Sequence, residues 1–301
     1  MSNLLKSAIF GLGAAAIWGG MYVVSDVVLP VVPPFTLLSL RLLISVVVLG
    51  AIVFGIQKSA LPPWPVIREA LIVGVVGFGL SLGAQFTGTD RSNAVNGSLI
   101  TSASPAFILI FAYFILRERL TALRIVSVAL ATIGVIVIIN PAEANFSSET
   151  FIGDLLLAVA ALTWGLYSVL TKRSSTRIST LMFSFLAPVG GLLISLPAAA
   201  WELTTRPIGE ITPAITLGIL YLGVISTAVA MWAWNRAFAL VDASVASLYF
   251  FAQPLVGTLL GVLILSQPLS PTIALGGVLI AVGVLISIIR PRTAPAPEGA
   301  D

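Results

Sequence analysis

The sequence predicts an all-α polytopic membrane protein with ten transmembrane helices, and three observations lead there. Of 301 residues, 58% are hydrophobic and 9% charged, whereas a soluble domain carries about 25% charged residues to keep its surface wet. A single soluble core cannot hold that much apolar material, because such interiors stop growing at about 250–300 residues. The chain also divides into ten stretches of about 20 mostly apolar residues, the length that crosses a hydrocarbon layer about 30 Å thick. Runs such as 133–139 are continuously apolar, whereas barrel strands alternate polar and apolar residues.

The stretches run 7–29, 34–56, 65–86, 93–114, 121–140, 151–170, 178–200, 212–234, 242–265 and 270–289. The first has Lys6 ahead of it and no small-residue cleavage site, so it reads as an uncleaved anchor. The second follows the Pro33-Pro34 turn. The fourth is the most polar, opening Ser92, Asn93, Asn96 and continuing Ser98, Thr101, Ser102, Ser104 before Pro105. The ninth offers Ser244, Ser247, Tyr249 and Gln253 before Pro254. Residues 141–150 read as an external linker, and the Pro- and Ala-rich 290–301 as a disordered cytoplasmic tail.

Charge placement sets the orientation. With the amino terminus inside, twelve of the fifteen Lys and Arg residues fall on inner segments; Arg91 and Arg206 fall outside and Arg41 lies within a span. The positive-inside rule therefore puts both termini in the cytoplasm. The pI near 9.5 is thus a consequence of topology, and nucleic acid is excluded as a partner. Neither Cys nor His occurs, which removes thiol nucleophiles, Cys/His zinc sites and histidine bases. No cofactor and no metal site is expected, and the absence of a Walker loop removes an ATP-driven engine.

A shift of 149 residues lays Ala94 on Ala243, Ser98 on Ser247, Leu99 on Leu248, Pro105 on Pro254, Leu116 on Leu265, Leu120 on Leu269, Gly134 on Gly283 and Val135 on Val284. A shift of 146 lays Trp18-Gly19 on Trp164-Gly165, with Tyr22 close to Tyr167. The repeat is thus about five helices, 1–140 and 151–289, and an odd unit places its second copy upside down in the membrane. Inverted repeats are the pattern of carriers that alternate access around a midplane site; the alternative is a duplication that only enlarged the bundle.

The ten spans, the Trp-Gly pairs, the paired prolines and the Leu-Arg-Glu-Arg-Leu-Thr turn at 116–121 resemble the drug/metabolite transporter superfamily in its EamA-type ten-helix branch. The resemblance covers essentially the whole chain. It implies two inverted halves, a central cavity framed by helices one to four and six to nine, and export of amino acids or similar small metabolites across the bacterial cytoplasmic (inner) membrane. The second half reads Leu-Ser-Gln-Pro-Leu-Ser at 265–270, so only Glu118 keeps the charge of that turn, with Gln267 opposite. Any role of the turn is then asymmetric.

Substrate-facing candidates follow from depth and polarity. Trp18 lies eleven residues from each end of its span and Trp164, its repeat counterpart, is read at a similar depth, near the midplane and too deep for an interfacial belt. Tyr22 and Tyr167 share their helical faces one turn away, which makes an aromatic cage suited to apolar side chains or cations. The alternative is a Trp packed between helices with its N–H on a backbone carbonyl. Trp64, Trp201, Trp232 and Trp234 sit at span ends and read as belt residues. Asn93, Asn96, Thr101 and Ser104 fall within an arc of about 140° on the fourth helix, and Ser244, Tyr249 and Gln253 are their counterparts on the ninth.

Pro105 and Pro254 each free a carbonyl for a substrate or water and supply a hinge, or else a static kink. Asp26 and Arg41 sit at similar depth and suit an ion pair, either structural or part of an outer gate; Arg41 alone suits a substrate carboxylate. Asp154 and Asp242 read as helix N-caps. The GxxxG pairs Gly79/Gly83 and Gly257/Gly261 point to packing within a monomer, with a dimer seam as the alternative. The expected partners are a small-molecule substrate and the lipid bilayer. An exporter of drugs or nucleoside-like solutes is the alternative within transport. An intramembrane enzyme on lipid-linked substrates would require paired carboxylates or Asp-rich metal motifs that the chain lacks.

Overall fold

A computed structural model describes residues 1–92, 100–139, 148–256 and 271–289. Among them, besides the helical residues 100–101, helix fills ten longer segments: α1 Asn3–Val28, α2 Pro34–Ile56, α3 Trp64–Arg91, α4 Ser104–Leu116, α5 Ala122–Ile139, α6 Ser148–Ser174, α7 Thr180–Glu202, α8 Pro213–Leu240, α9 Ala243–Val256 and α10 Pro271–Ile289. Six of these (α1, α2, α3, α6, α7 and α8) are long and apolar enough to cross a membrane, and α4, α5 and α9 include shorter apolar stretches. The described part is a polytopic all-helical membrane fold. The region 141–147, Gly257, Gly261, Gln267 and the tail 290–301 lie outside the described residues. α6 already begins at Ser148, inside the stretch read as a linker.

Capping chemistry follows the local sequence. Ser2, Ser179 and Thr212 accept from the backbone N–H of Leu5, Met182 and Ile215 and start α1, α7 and α8. Proline stands in the first turn of α2, α3 and α8, where its missing N–H costs nothing. Neither Asp154 nor Asp242 caps its own helix through its side chain. Asp154 lies a turn and a half inside α6, where its Oδ1 accepts from Ser92 Oγ at 2.7 Å. Asp242 precedes α9 without a side-chain cap bond; the carboxylate of Glu118 takes that place, accepting from Ala243 N at 2.7 Å and Ser244 N at 3.1 Å.

α3 and α8 both contain π-helical turns, Val75–Ser81 and Tyr221–Val229, at positions separated by the 146-residue shift. Each of these helices is 28 residues long and extends past the sequence-based boundary. In lipid, helices approach by small residues rather than by exclusion of water. A Cβ on Gly74 would collide with Ala187 O, and one on Gly190 with Leu71 O, so α3 and α7 meet backbone to backbone. Gly79 faces Ile194, and Gly83 faces Phe35 and Leu38, which places that GxxxG pair against this chain's own α7 and α2.

The contact between α5 and α10 is its own image under the repeat. A Cβ on Gly134 would sit 2.7 Å from Gly276 O and 2.9 Å from Ile280 Cγ1; one on Gly283 would sit 2.8 Å from Ser127 O and 3.0 Å from Ala131 Cβ. Adding 149 to 134, 127 and 131 gives 283, 276 and 280. Partner numbers fall as residue numbers rise, so the two helices run antiparallel and are exchanged by a two-fold axis lying across them.

Gly74→Ala and Gly190→Ala are each expected to destabilise the purified protein by about 1–3 kcal/mol, read as a fall in melting temperature in detergent. Gly13→Ala, where a Cβ meets nothing within 4 Å, should leave it unchanged. Equal melting of all three variants would contradict the backbone contact.

Candidate functional site

One small cavity lies inside the bundle. Its wall takes Trp18 and Met21 from α1, Ser81, Leu82 and Gln85 from α3, Thr101 and Ser104 at the start of α4, Ala160 and Trp164 from α6, Met231 from α8, and Phe250 and Gln253 from α9. The space open to the centre of a water molecule is about 20 Å³, room for about one water. Among the described residues no charged side chain lines it.

Two indoles, Trp18 and Trp164, form one side, with a third, Trp234, packed behind them. The ring of Trp18 lies 5.4 Å from Trp164, nearly perpendicular to it, and 5.2 Å from Trp234; Trp164 and Trp234 are 6.1 Å apart, and Phe250 packs on all three. Such tilted pairs contribute about 0.5–1.5 kcal/mol each beyond area burial. Trp234 therefore belongs to the core, fully buried, rather than to an interfacial belt. Asn235 and Arg236 resemble a span end in the sequence, yet α8 continues to Leu240. Asn235 is buried, accepting from Tyr167 OH and donating to Ser184 Oγ, both at 2.9 Å. Trp232 is half-buried against Phe10, while Trp64 and Trp201 are exposed at helix ends, as belt residues are.

The indole N–H groups separate the repeat-related pair. Trp18 donates to Ser226 O at 3.0 Å, the packing arrangement, and Trp234 donates to Ser168 Oγ at 3.3 Å. Trp164 Nε1 is buried and has no hydrogen-bond partner among the described residues. A buried donor left unmade costs about 1–3 kcal/mol, and this one belongs to a ring on the cavity wall.

Amides and hydroxyls form the other side. Tyr22 OH lies 3.0 Å from Thr101 Oγ1 and accepts from Gln85 Nε2 at 3.1 Å; Gln253 lines the same space. The helix breaks at 102–103, one turn before Pro105, and α9 tightens to a 3₁₀ stretch, Ser247–Phe251, before Pro254. Proline cannot donate to the carbonyl four residues back. For Pro105 that carbonyl belongs to Thr101, and Ser104 Oγ donates to it at 2.6 Å, so the chain itself fills an acceptor that the sequence left open for substrate.

The remaining sequence candidates are dispersed. Tyr167 turns its hydroxyl to Asn235 and is not among the cavity lining. Ser244 donates to Glu118 Oε2 at 2.6 Å at the foot of α9. Tyr249 is buried against Gly11, its hydroxyl without a partner among the described residues. Asn93 and Asn96 lie outside the described residues, as does the side chain of Asp26. Arg41 is fully buried on hydroxyls, with Thr227 Oγ1 at 2.7 Å and Ser226 Oγ at 3.3 Å. Sequence reasoning missed Gln85. Its signal was an amide one residue inside a span judged to end at Phe86, whereas α3 continues to Arg91.

Carboxylates fasten the two halves at both ends of the bundle. At one end Glu118 holds the start of α9, with Arg124 placed 3.8 Å from Glu118 and 2.5 Å from Asp242. At the other, Glu202 at the end of α7 accepts from Phe35 N, Thr36 N and Thr36 Oγ1 at the start of α2, and Arg206 reaches Asp90 at 2.7 Å and Leu29 O at 2.8 Å. A largely apolar wall dotted with amides and hydroxyls, with charge-assisted bonds between the halves at both ends of the bundle, is suited to holding a solute.

Comparison with known proteins agrees. Residues 5–140 and 151–289 each match the model of the EamA-like transporter family. The chain belongs to that family. An uncharacterized transporter of Clostridium kluyveri is 31% identical over 72% of this chain and 70% of its own length. The uncharacterized transporter YetK of Bacillus subtilis is 27% identical over 95% and 88%, and Protein PecM of Dickeya dadantii 26% over 94% and 92%. A solved crystal structure superposes with a TM-score of 0.79 at 23% identity, covering 93% of this chain and 97% of that one, and shares the fold. The EamA membership makes this chain a membrane transporter and not an enzyme.

Because this EamA protein has no cysteine, a single cysteine at Ser104 reports access to the cavity. Glu118→Gln removes a charge-assisted acceptor at one closure. It should raise the rate of maleimide labelling at that cysteine about ten-fold, the population shift that follows from losing about 1.5 kcal/mol. An unchanged rate would show that this contact does not hold the cavity shut.

Proposed function

We propose that the protein carries amino acids or similar small metabolites out of the cell across the cytoplasmic membrane, as a ten-span carrier with both termini in the cytoplasm. Two inverted five-helix halves rock about the central cavity, and the closures at Glu118 and Glu202 break in alternation. The observation that carries this reading is the cavity wall: the indoles of Trp18 and Trp164 backed by Trp234, the amides of Gln85 and Gln253, the hydroxyl of Thr101 held by Tyr22, and the N–H of Trp164, unpartnered among the described residues. Such a wall receives an apolar side chain on its aromatic face and offers a solute oxygen a donor that the fold leaves unused. Among the described residues that wall holds no carboxylate to serve as the usual intramembrane proton relay. Pro105 and Pro254 supply the points of flexure beside the solute.

A solute larger than one water requires the wall to part, which alternating access provides. Planar drugs or nucleoside-like solutes suit the same indoles and are the second reading.

The test is uptake into proteoliposomes from a pool of labelled amino acids, with and without a proton gradient. Amino-acid uptake is expected, with Trp164→Phe, which keeps a ring and removes the N–H, raising KM about ten-fold or more. Trp164→Ala and Asn96→Ala should lower uptake without loss of folded protein. Uptake confined to nucleosides or planar drugs would favour the second reading, and normal amino-acid transport by all three variants would remove the site assignment.

A further inference from the structure

Arg41 is the one charged side chain among the described residues that is fully buried, at 0% exposure. Its neighbours are neutral. Nε donates to Thr227 Oγ1 at 2.7 Å, Nη2 to Ser226 Oγ at 3.3 Å and Nη1 to the thioether of Met21 at 3.7 Å, and the guanidinium lies 5.0 Å over the ring of Phe86. Hydroxyls and a ring face orient toward a cation, but none carries a countercharge, and no carboxylate meets Arg41 among the described residues. A buried ion without a counter-ion is costly in a membrane bundle. The guanidinium presents N–H groups on a planar fork that matches a carboxylate; among the described residues Nη1 has only a weak sulfur acceptor and each terminal nitrogen keeps a further N–H.

The position is continuous with the central cavity. Met21, whose sulfur covers Nη1, is itself part of the cavity wall, and Ser226, which holds Nη2, also accepts the N–H of the wall residue Trp18. An unbranched thioether is the side chain that swings aside most easily. The geometry points to Arg41 as the anchor of a binding site for a small monovalent anion, entered from the cavity by displacement of Met21. The anion is the carboxylate of the carried solute or chloride. The inference builds on the cavity assigned above and requires no particular solute, since the site is read from the cation and its cover alone.

The purified protein is titrated with sodium acetate and, separately, sodium chloride at constant ionic strength balanced by sodium sulfate, and thermal melting is followed. A saturable stabilisation is expected, with Arg41→Gln weakening it about ten-fold or more and Arg41→Lys retaining most of it. Acetate well ahead of chloride identifies the solute carboxylate as the source, and equal or stronger chloride identifies the halide. Met21→Ala keeps the cation and removes its cover; its acetate affinity should rise about three-fold or more, so the inference stands or falls on this variant if Arg41→Gln does not fold. No saturable shift in the wild type, equal shifts in wild type and Arg41→Gln, or an unaltered affinity in Met21→Ala would overturn it. Anion binding with no amino-acid uptake would leave the site in place and remove only the amino-acid reading, whereas uptake without anion binding would do the reverse.

Discussion

A hydrocarbon solvent offers no hydrogen bonds, and this fold is arranged around that one constraint. Every polar group carried into the bundle must find its partner inside the protein or remain a cost. Ser7, Ser81 and Thr163 spend their hydroxyls on backbone carbonyls, and Ser104 covers the acceptor that Pro105 strands. Asn235 joins α6, α7 and α8 through Tyr167 and Ser184. Several buried hydroxyls, that of Tyr249 among them, still lack a partner among the described residues; on the cavity wall the unpartnered group is the N–H of Trp164, and the charge of Arg41 lies behind Met21 of the same wall.

The same constraint explains where the carboxylates went. Glu118 and Glu202 each receive backbone N–H groups at the start of a helix, where the aligned peptide dipoles favour negative charge. Each reaches from one half of the chain to the other, at opposite ends of the bundle. These two charges are thereby kept away from the cavity, and in the proposed cycle they serve as its closures.

The two copies of the repeat have diverged at the points that matter for function. α5 and α10 retain a contact that maps onto itself, and α3 and α8 retain π-helical turns at equivalent places. By contrast, Trp18 has its N–H satisfied by α8 while Trp164 does not, and the glutamate of the turn after α4 has glutamine as its counterpart. Symmetry sets the frame, and its breaking gives the wall one donor to spare.

Much of this was legible in the sequence, for a physical reason: solvent and length act locally. Hydropathy and the 30 Å slab define the stretches, and the repeat and the turn motif lead to the EamA-like family, which the comparison shows. Midplane depth likewise put Trp18 and Trp164 together before any fold was seen. Side-chain partners were not legible, because they are set by helices far apart in the chain. Nothing local marks Trp234 as a core indole when Asn235 and Arg236 follow it. Nothing local says that Glu118 rather than Asp242 serves α9, or that Arg41 meets hydroxyls of α8. The sequence by itself determined the solvent, the helices and the duplication, whereas tertiary packing decided which donors and charges are satisfied, because in lipid that depends on what the neighbouring helix presents.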